Sequence, residues 1–161
     1  MIAQTARNIR RLIISLAIIA LAGCASSGSV PDRQQASTKS SSADRAVAIA
    51  MQQVGVPYRY GGSTPKGFDC SGLVHYSYAQ VGRSLPRTTA TLWSGLRPVA
   101  RGDMRVGDVL FFEISGKMSH VGLYIGGDRF VHAPSSGKSV SVDSLRSNFY
   151  GNAFIRAGRP N

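Results

Sequence analysis

Cys70 and three histidines are the side chains best suited to covalent chemistry in this chain. Cys70 follows a glycine-containing loop and opens a helical pattern that ends at Gly82. A helix N-terminus stabilises a thiolate through its dipole and its free N–H groups, which also suit a developing oxyanion. We therefore expect Cys70 to be a nucleophile with a lowered pKa. The alternative is an inert, buried cysteine.

A cysteine nucleophile needs a general base, and the base needs an orienting partner. His120 and His132 lie on two predicted strands that form one hairpin around Gly126-Gly127. The two side chains share a face of the sheet only if the numbers of paired residues have an even sum. We therefore predict an odd-length loop, or a bulge that restores the parity, with both imidazoles turned toward Cys70. Gly122 would leave room beside His132.

The third histidine, His75, falls five residues after Cys70 on the predicted helix and is interpreted as a surface residue. His120 and His132 must both be neutral for the roles of base and orienting group. Because model imidazoles titrate near about 6.5, we expect activity to fall on the acid side.

Three segments around these residues resemble the motifs of the NlpC family of papain-like cell-wall cysteine peptidases: Asp69-Cys70-Ser71-Gly72-Leu73-Val74, Ser119-His120-Val121-Gly122-Leu123-Tyr124 and Val131-His132-Ala133-Pro134. The resemblance covers about residues 44–157, with order and spacing intact. It implies that Cys70 is the nucleophile, His120 the general base and His132 the residue that orients the base.

The same resemblance assigns further residues to the site. Tyr58, in a Tyr-Arg-Tyr-Gly-Gly segment, would support the oxyanion, and Asp69 and Ser71 would contact substrate. We expect Arg87 to pair with carboxylates of the peptidoglycan stem peptide. No cofactor or metal is expected.

The implied activity is that of a cysteine endopeptidase that hydrolyses amide bonds in peptidoglycan stem or cross-link peptides through an acyl-enzyme. Three alternatives remain open: a catalytically silent module that binds wall peptides, an acyltransferase on the same Cys-His frame, and a Cys-His-His zinc site.

The elements that must position these residues indicate an α+β fold. Helical patterns come first, after a Ser41/Asp44 capping box and from Cys70, with a third, short helix over 88–96. Short strands follow over 109–114, 121–125, 129–133, 140–142 and 153–156, separated by glycine turns. This order predicts a papain-like arrangement of N-terminal helices packed on an antiparallel meander sheet, with the nucleophile at a helix N-terminus.

The N-terminus has the features of an export signal. Three arginines precede an apolar run over 12–22, which is too short to span a bilayer, and Leu21-Ala22-Gly23-Cys24 resembles a bacterial lipobox. We predict a signal peptide over 1–23, a lipidated Cys24, a flexible tether over 24–43 and the catalytic domain over 44–161. Ala25, by the lipoprotein rule, favours the periplasmic face of the outer membrane.

Length and charge limit the other possibilities. A chain of 161 residues allows one domain, and two cysteines cannot make a disulfide scaffold. The 19 basic and 8 acidic residues give +11, and removal of residues 1–23 takes away three arginines, which leaves 16 − 8 = +8. Such a charge favours an anionic partner. Because export argues against nucleic acid, the expected partners are peptidoglycan stem peptides and, through the lipid anchor, the membrane.

Overall fold

The computed structural model describes residues 40–161, so the predicted signal peptide, Cys24 and most of the tether lie outside the described residues. Helix α1 (Ser42–Met51) begins with the predicted capping box: Ser41 Oγ accepts from the Asp44 N–H at 3.1 Å, and the Asp44 carboxylate accepts from the Ser41 N–H. The helix thus starts two residues before the predicted domain boundary at 44.

The remaining elements follow in the order β1 (Ser63–Thr64), β2 (Gly67–Phe68), α2 (Cys70–Ala79), α3 (Thr89–Gly95), β3 (Arg97–Val99), a 3-10 turn (Arg101–Asp103), β4 (Val109–Ile114), β5 (Lys117–Gly126), β6 (Arg129–His132), β7 (Ser141–Ser144), α4 (Asn148–Ala153) and β8 (Phe154–Arg159). Strands β1 and β2 form a small hairpin. The other six form one antiparallel sheet in the order β3-β8-β4-β5-β6-β7. The predicted α+β class is confirmed: β4 to β7 are the expected meander, to which β8 and β3 add two strands beyond β4.

Both faces of the sheet are buried. Val109 and Phe111 of β4, with Val121 and Leu123 of β5, belong to the core that contains the buried residues of α1 and α2. The alternate residues of β4, Leu110 and Phe112, face a second core that includes Phe130 and is covered by α4. Burial on both faces explains why β4 reads as a continuous apolar run rather than as an alternating one.

The described helices are short. Among residues 40–161, no helix has the length and apolar character required to cross a membrane.

Candidate active site

Cys70 is the first residue of α2, as predicted, and Asp69 caps the helix. Asp69 Oδ1 accepts from the Gly72 N–H at 2.6 Å, and Oδ2 accepts from the Gly61 N–H at 3.0 Å. A Cβ on Gly72 would lie 2.0 Å from the Gly62 carbonyl oxygen. The first turn of α2 is therefore pressed against the preceding loop, which fixes the position of the thiol.

The thiol of Cys70 lies against the backbone of β5, at the two residues that flank His120 in the sequence. Its Sγ is 3.9 Å from the Ser119 carbonyl oxygen and 3.8 Å from Thr89 Oγ1. Burial raises the pKa of Cys70, although hydrogen bonds from the Val121 N–H and from Thr89 oppose the shift. The expectation of a lowered pKa is wrong because the cost of desolvating a thiolate exceeds the stabilisation by these hydrogen bonds.

His120 and His132 form a directly bonded pair. His120 Nε2 and His132 Nδ1 are 2.7 Å apart, and both rings are almost fully buried. Burial, followed by the charge of His132, lowers the pKa of His120 to about 3. The pKa of His132 is lowered as well, by burial, against an opposing hydrogen bond to Asp143. Both imidazoles are therefore neutral at pH 7.

The strand register explains why the two rings meet. Leu123 pairs with Val131 and Tyr124 with Phe130, so the paired numbers sum to 254, and a bulge at Ile125 separates these pairs from Gly126–Arg129. The predicted even parity is thus achieved by the bulge, with a two-residue Gly127-Asp128 turn in place of a three-residue loop. Both turn residues have positive φ, as a hairpin turn of this kind requires.

The histidine pair lies on the sheet face opposite α1 and α2. His120 pairs with Phe112 across β4 and β5, and both belong to the face covered by α4. The ring of Tyr150, from α4, lies edge-on to His132 with 5.2 Å between centroids. Cys70 Sγ contacts β5 at the Ser119 carbonyl oxygen, and among residues 40–161 no hydrogen bond joins it to His120. The orientation of both imidazoles toward Cys70 stays a prediction. Catalytic hydrogen bonds are often long in substrate-free enzymes.

Gly122 provides the space that the pair requires. A Cβ at this position would lie 2.6 Å from a ring carbon of Phe130 and 3.2 Å from His132 Cβ. The expected role of Gly122 in leaving room for His132 agrees with this geometry.

Asp143 is a site residue that the sequence reasoning missed. Its Oδ2 lies 2.8 Å from His132 Nε2, and Ser141 Oγ lies 3.4 Å from the same nitrogen. Phe130 pairs with Asp143 and His132 with Ser141, so all four side chains share the face of the histidine pair. A sequence pattern could have identified it: in Val140-Ser141-Val142-Asp143, apolar and polar residues alternate, as in a strand. The polar residues Ser141 and Asp143 lie on the face of this strand that belongs to the site.

The residues assigned to substrate binding form a separate network beside Cys70. The two terminal nitrogens of Arg87 bind the two oxygens of Asp69 at 2.9 and 2.7 Å, and they also donate to Ser71 Oγ and the Gly62 carbonyl. Burial by itself would raise the pKa of Asp69, but hydrogen bonds from Arg87, Gly72 and Ser71 lower it overall. Arg87 is therefore paired with Asp69 while its side chain stays partly exposed, and its pairing with stem-peptide carboxylates stays a prediction.

A cleft of about 450 Å³ lies over this network. Its lining consists of Tyr60, Gly61, Asp69, Ser71, Arg87, Thr88 and Thr89. Since Thr89 also contacts the Cys70 thiol, this wall of the cleft lies beside Cys70.

Tyr58 is half-buried near Cys70, and its assignment to the oxyanion stays a prediction. Burial, followed by the nearby Cys70 and Asp69 charges, raises the pKa of Tyr58, so the phenol keeps its proton and can donate a hydrogen bond.

His75, interpreted as a surface residue, is instead half-buried, with Nδ1 2.7 Å from the Leu85 carbonyl oxygen. Within the described part of the chain, no cluster of three metal-ligating side chains is found.

Comparison with known proteins agrees with this geometry. The model of the NlpC/P60 family matches residues 55–159. Murein DD-endopeptidase MepH of Escherichia coli (strain K12) is 35% identical over 141 residues, which are 84% of this chain and 52% of that protein. The gamma-D-glutamyl-L-lysine dipeptidyl-peptidase of Bacillus subtilis (strain 168) is 36% identical over 127 residues, which are 77% of this chain and 42% of that protein. The chain thus spans about half the length of these relatives.

A solved structure shows the same relationship. The crystal structure of the NlpC/p60 domain of the peptidoglycan hydrolase SagA matches with a TM-score of 0.65 and 35% identity, and the match covers 73% of this chain and 98% of that domain. Because the family model matches residues 55–159, a range that contains Cys70, His120 and His132, the chain belongs to the NlpC/P60 family.

Proposed function

We propose that this protein is a cysteine endopeptidase that hydrolyses amide bonds in the stem or cross-link peptides of peptidoglycan. The observation that carries the proposal is the placement of Cys70, at the start of α2, against the strand whose His120 is hydrogen-bonded to His132. The names of the relatives, a murein DD-endopeptidase and a γ-D-glutamyl-L-lysine dipeptidyl-peptidase, support peptidoglycan peptides as the substrate class.

The reaction proceeds in two halves. His120 takes the proton of the Cys70 thiol while Sγ attacks the carbonyl carbon of the scissile amide. The resulting oxyanion accepts from the Cys70 N–H, which has no acceptor within the helix, and from Tyr58. His120 then gives its proton to the leaving amine, the C–N bond breaks, and a thioester remains on Cys70. Water, deprotonated by His120, hydrolyses the thioester and restores the thiol.

Removal of the nucleophile tests this mechanism. We expect Cys70→Ala to lower the hydrolysis of purified peptidoglycan by at least about 1000-fold while the circular dichroism spectrum is unchanged. Cys70→Ser should lose nearly as much, because a hydroxyl is far less ionised than a thiol. Ser94→Ala, an exposed hydroxyl on α3, is the control and should retain full activity. Hydrolysis at the wild-type rate by Cys70→Ala would eliminate the mechanism.

Mass spectrometry of the fragments released by the wild-type protein identifies the bond that is cut. Cleavage between D-Ala and diaminopimelate and cleavage between D-Glu and diaminopimelate give stem fragments of different mass. Binding of peptidoglycan without any release of fragments would instead indicate a silent binding module.

We further propose that the protein is an outer-membrane lipoprotein anchored through Cys24. The support is the lipobox-like Leu21-Ala22-Gly23-Cys24 after a basic and apolar leader, with Ala25 next. Two or three acyl chains give stable anchoring, at about 0.8 kcal/mol per buried methylene.

Metabolic labelling tests the anchor. Labelled palmitate should enter the wild-type protein, and Cys24→Ala should release an unlabelled, active protein from the membrane fraction. Cys70→Ala serves as the control, because it removes the other cysteine and should leave labelling unchanged. Membrane attachment that survives Cys24→Ala would contradict the lipid anchor.

A further inference from the structure

The ring of His132 is fully buried, so each of its nitrogens needs a partner within the protein. Nδ1 faces His120 Nε2 at 2.7 Å, and Nε2 faces Asp143 Oδ2 at 2.8 Å. Ser141 Oγ is more distant from Nε2, at 3.4 Å, and a hydroxyl can serve either as donor or as acceptor. Asp143 is therefore the partner that decides which nitrogen of His132 carries the proton.

The direction of each hydrogen bond follows from the carboxylate. A carboxylate accepts hydrogen bonds and cannot donate them, so His132 Nε2 carries its proton toward Asp143. A neutral imidazole has one N–H, which leaves His132 Nδ1 as an acceptor. His120 Nε2 must then donate to it, and His120 Nδ1 is left with a free lone pair.

The opposite pair of tautomers has the same heavy-atom positions but leaves His120 without a basic nitrogen for the thiol. If His132 carried its proton on Nδ1, it would donate to His120 Nε2. The proton of His120 would then lie on Nδ1, and the ring would have no free nitrogen for the Cys70 proton. Nothing in the His120–His132 contact distinguishes these two arrangements, because either ring can donate across 2.7 Å.

We propose that Asp143 is a positioning residue that fixes the tautomer of His132 and, through it, keeps Nδ1 of His120 free to act as the base. The role in turnover rests on the proposed peptidase function, whereas the effect on the tautomers does not. Asp143 can hold this place because β7 pairs with β6 in the register His132–Ser141 and Phe130–Asp143, which sets its carboxylate diagonally across from the His132 ring.

Nuclear magnetic resonance of the 15N-labelled full-length protein at pH 7 tests the tautomers without substrate. In the wild type, both rings should show a protonated Nε2 and an unprotonated Nδ1. Asp143→Ala should convert a measurable fraction of both rings to the Nδ1-protonated form. Asp143→Asn, which keeps an acceptor oxygen but not the charge, should show a smaller fraction. Asp128→Asn is the control, since Asp128 is a carboxylate in the β5–β6 turn and pairs with Arg146 instead.

Kinetics on soluble stem peptides provide the second measurement. Asp143→Ala should lower kcat by about 10- to 100-fold with KM nearly unchanged, because Asp143 acts on the base and not on the substrate. Asp143→Asn should lose less, and Asp128→Asn should match the wild type. If Asp143→Ala does not fold, the isosteric Asp143→Asn decides the question through the same two readouts.

The possible outcomes separate the two proposals. Wild-type tautomers together with wild-type kcat in the folded Asp143 variants would overturn the role of Asp143. A tautomer change without any peptide hydrolysis by the wild type would leave the tautomer assignment standing and defeat the peptidase function. A loss of kcat without a tautomer change would contradict the positioning mechanism.

Discussion

The protonation state of the resting site is set by burial at individual residues. The pKa of Cys70 is raised and the pKa of His120 is lowered to about 3, so the resting pair consists of a neutral thiol and a neutral imidazole rather than of an ion pair. The hydrogen bonds from Val121, Thr89 and Ser71 to the thiol do not reverse this preference. In the proposed mechanism, proton transfer from sulfur to nitrogen is therefore part of the reaction and does not precede it.

The acid limb of kcat/KM should consequently lie well below the value of about 6.5 at which free imidazole titrates. The expectation of an acid-side fall near that value, drawn from the presence of two histidines, is revised because burial keeps His120 neutral to about pH 3. Rates on soluble stem peptides measured from pH 4 to 9, with circular dichroism at each pH to show that the protein is folded, provide the check. An inflection of kcat/KM near 6.5 in the folded protein would show that His120 is more solvated than its burial indicates.

At the scale of elements, the β5–β6 hairpin depends on a glycine in the middle of a strand. Gly122→Ala places a methyl group 2.6 Å from the Phe130 ring, so we expect a destabilisation of about 1–3 kcal/mol and a displaced His132. Urea unfolding measures the first effect and kcat the second. Gly102→Ala is the matched control, because a Cβ there meets no atom within 4 Å. Equal behaviour of the two variants would show that β5 and β6 adjust freely.

Local patterns predicted much of this element structure. The capping box at Ser41, the α2 start at Cys70 and the parity of His120 and His132 follow from residue types and spacing alone, since each is decided within a few residues of the chain. Helix α4 was not predicted, because Asn148–Ala153 is short and carries Phe, Tyr, Asn and Gly, which are weak helix formers.

Features that depend on distant parts of the chain were harder to predict. The pairing of β8 with β4 brings together segments more than 40 residues apart, and no local pattern encodes it. Asp143 was missed because a polar residue on a short alternating strand is ordinarily read as solvent-facing. The lowered pKa expected for Cys70 is wrong because the extent of burial, which raises that pKa, is a property of the whole fold.

At the scale of the whole molecule, the two buried histidines make stability depend on pH. Their pKa values are lower in the folded protein than the ordinary value of about 6.5 in the unfolded chain. The unfolded state therefore binds more protons as the pH falls below about 6.5, and stability decreases from there toward the folded pKa of His120, about 3.

We expect the Tm of the wild type to decline between about pH 6.5 and pH 4. In His120→Gln the decline should be shallower, whatever the Tm of that variant is at pH 7. Ser94→Ala, which removes an exposed hydroxyl and no ionisable group, is the control and should keep the wild-type slope. Differential scanning calorimetry across this pH range measures both slopes. A wild-type slope in His120→Gln would show that other groups cause the acid sensitivity.

The neutral, half-buried sulfur of Cys70 also affects the resistance of the protein to oxidation. Peroxide and disulfides react with the thiolate form of cysteine, so a thiol that stays protonated reacts slowly with them. The proposed export delivers the protein to an oxidising compartment, where Cys24 would be acylated and could not pair with Cys70. The burial that withholds the thiolate from the resting site would thus also protect the nucleophile from oxidative inactivation between turnovers.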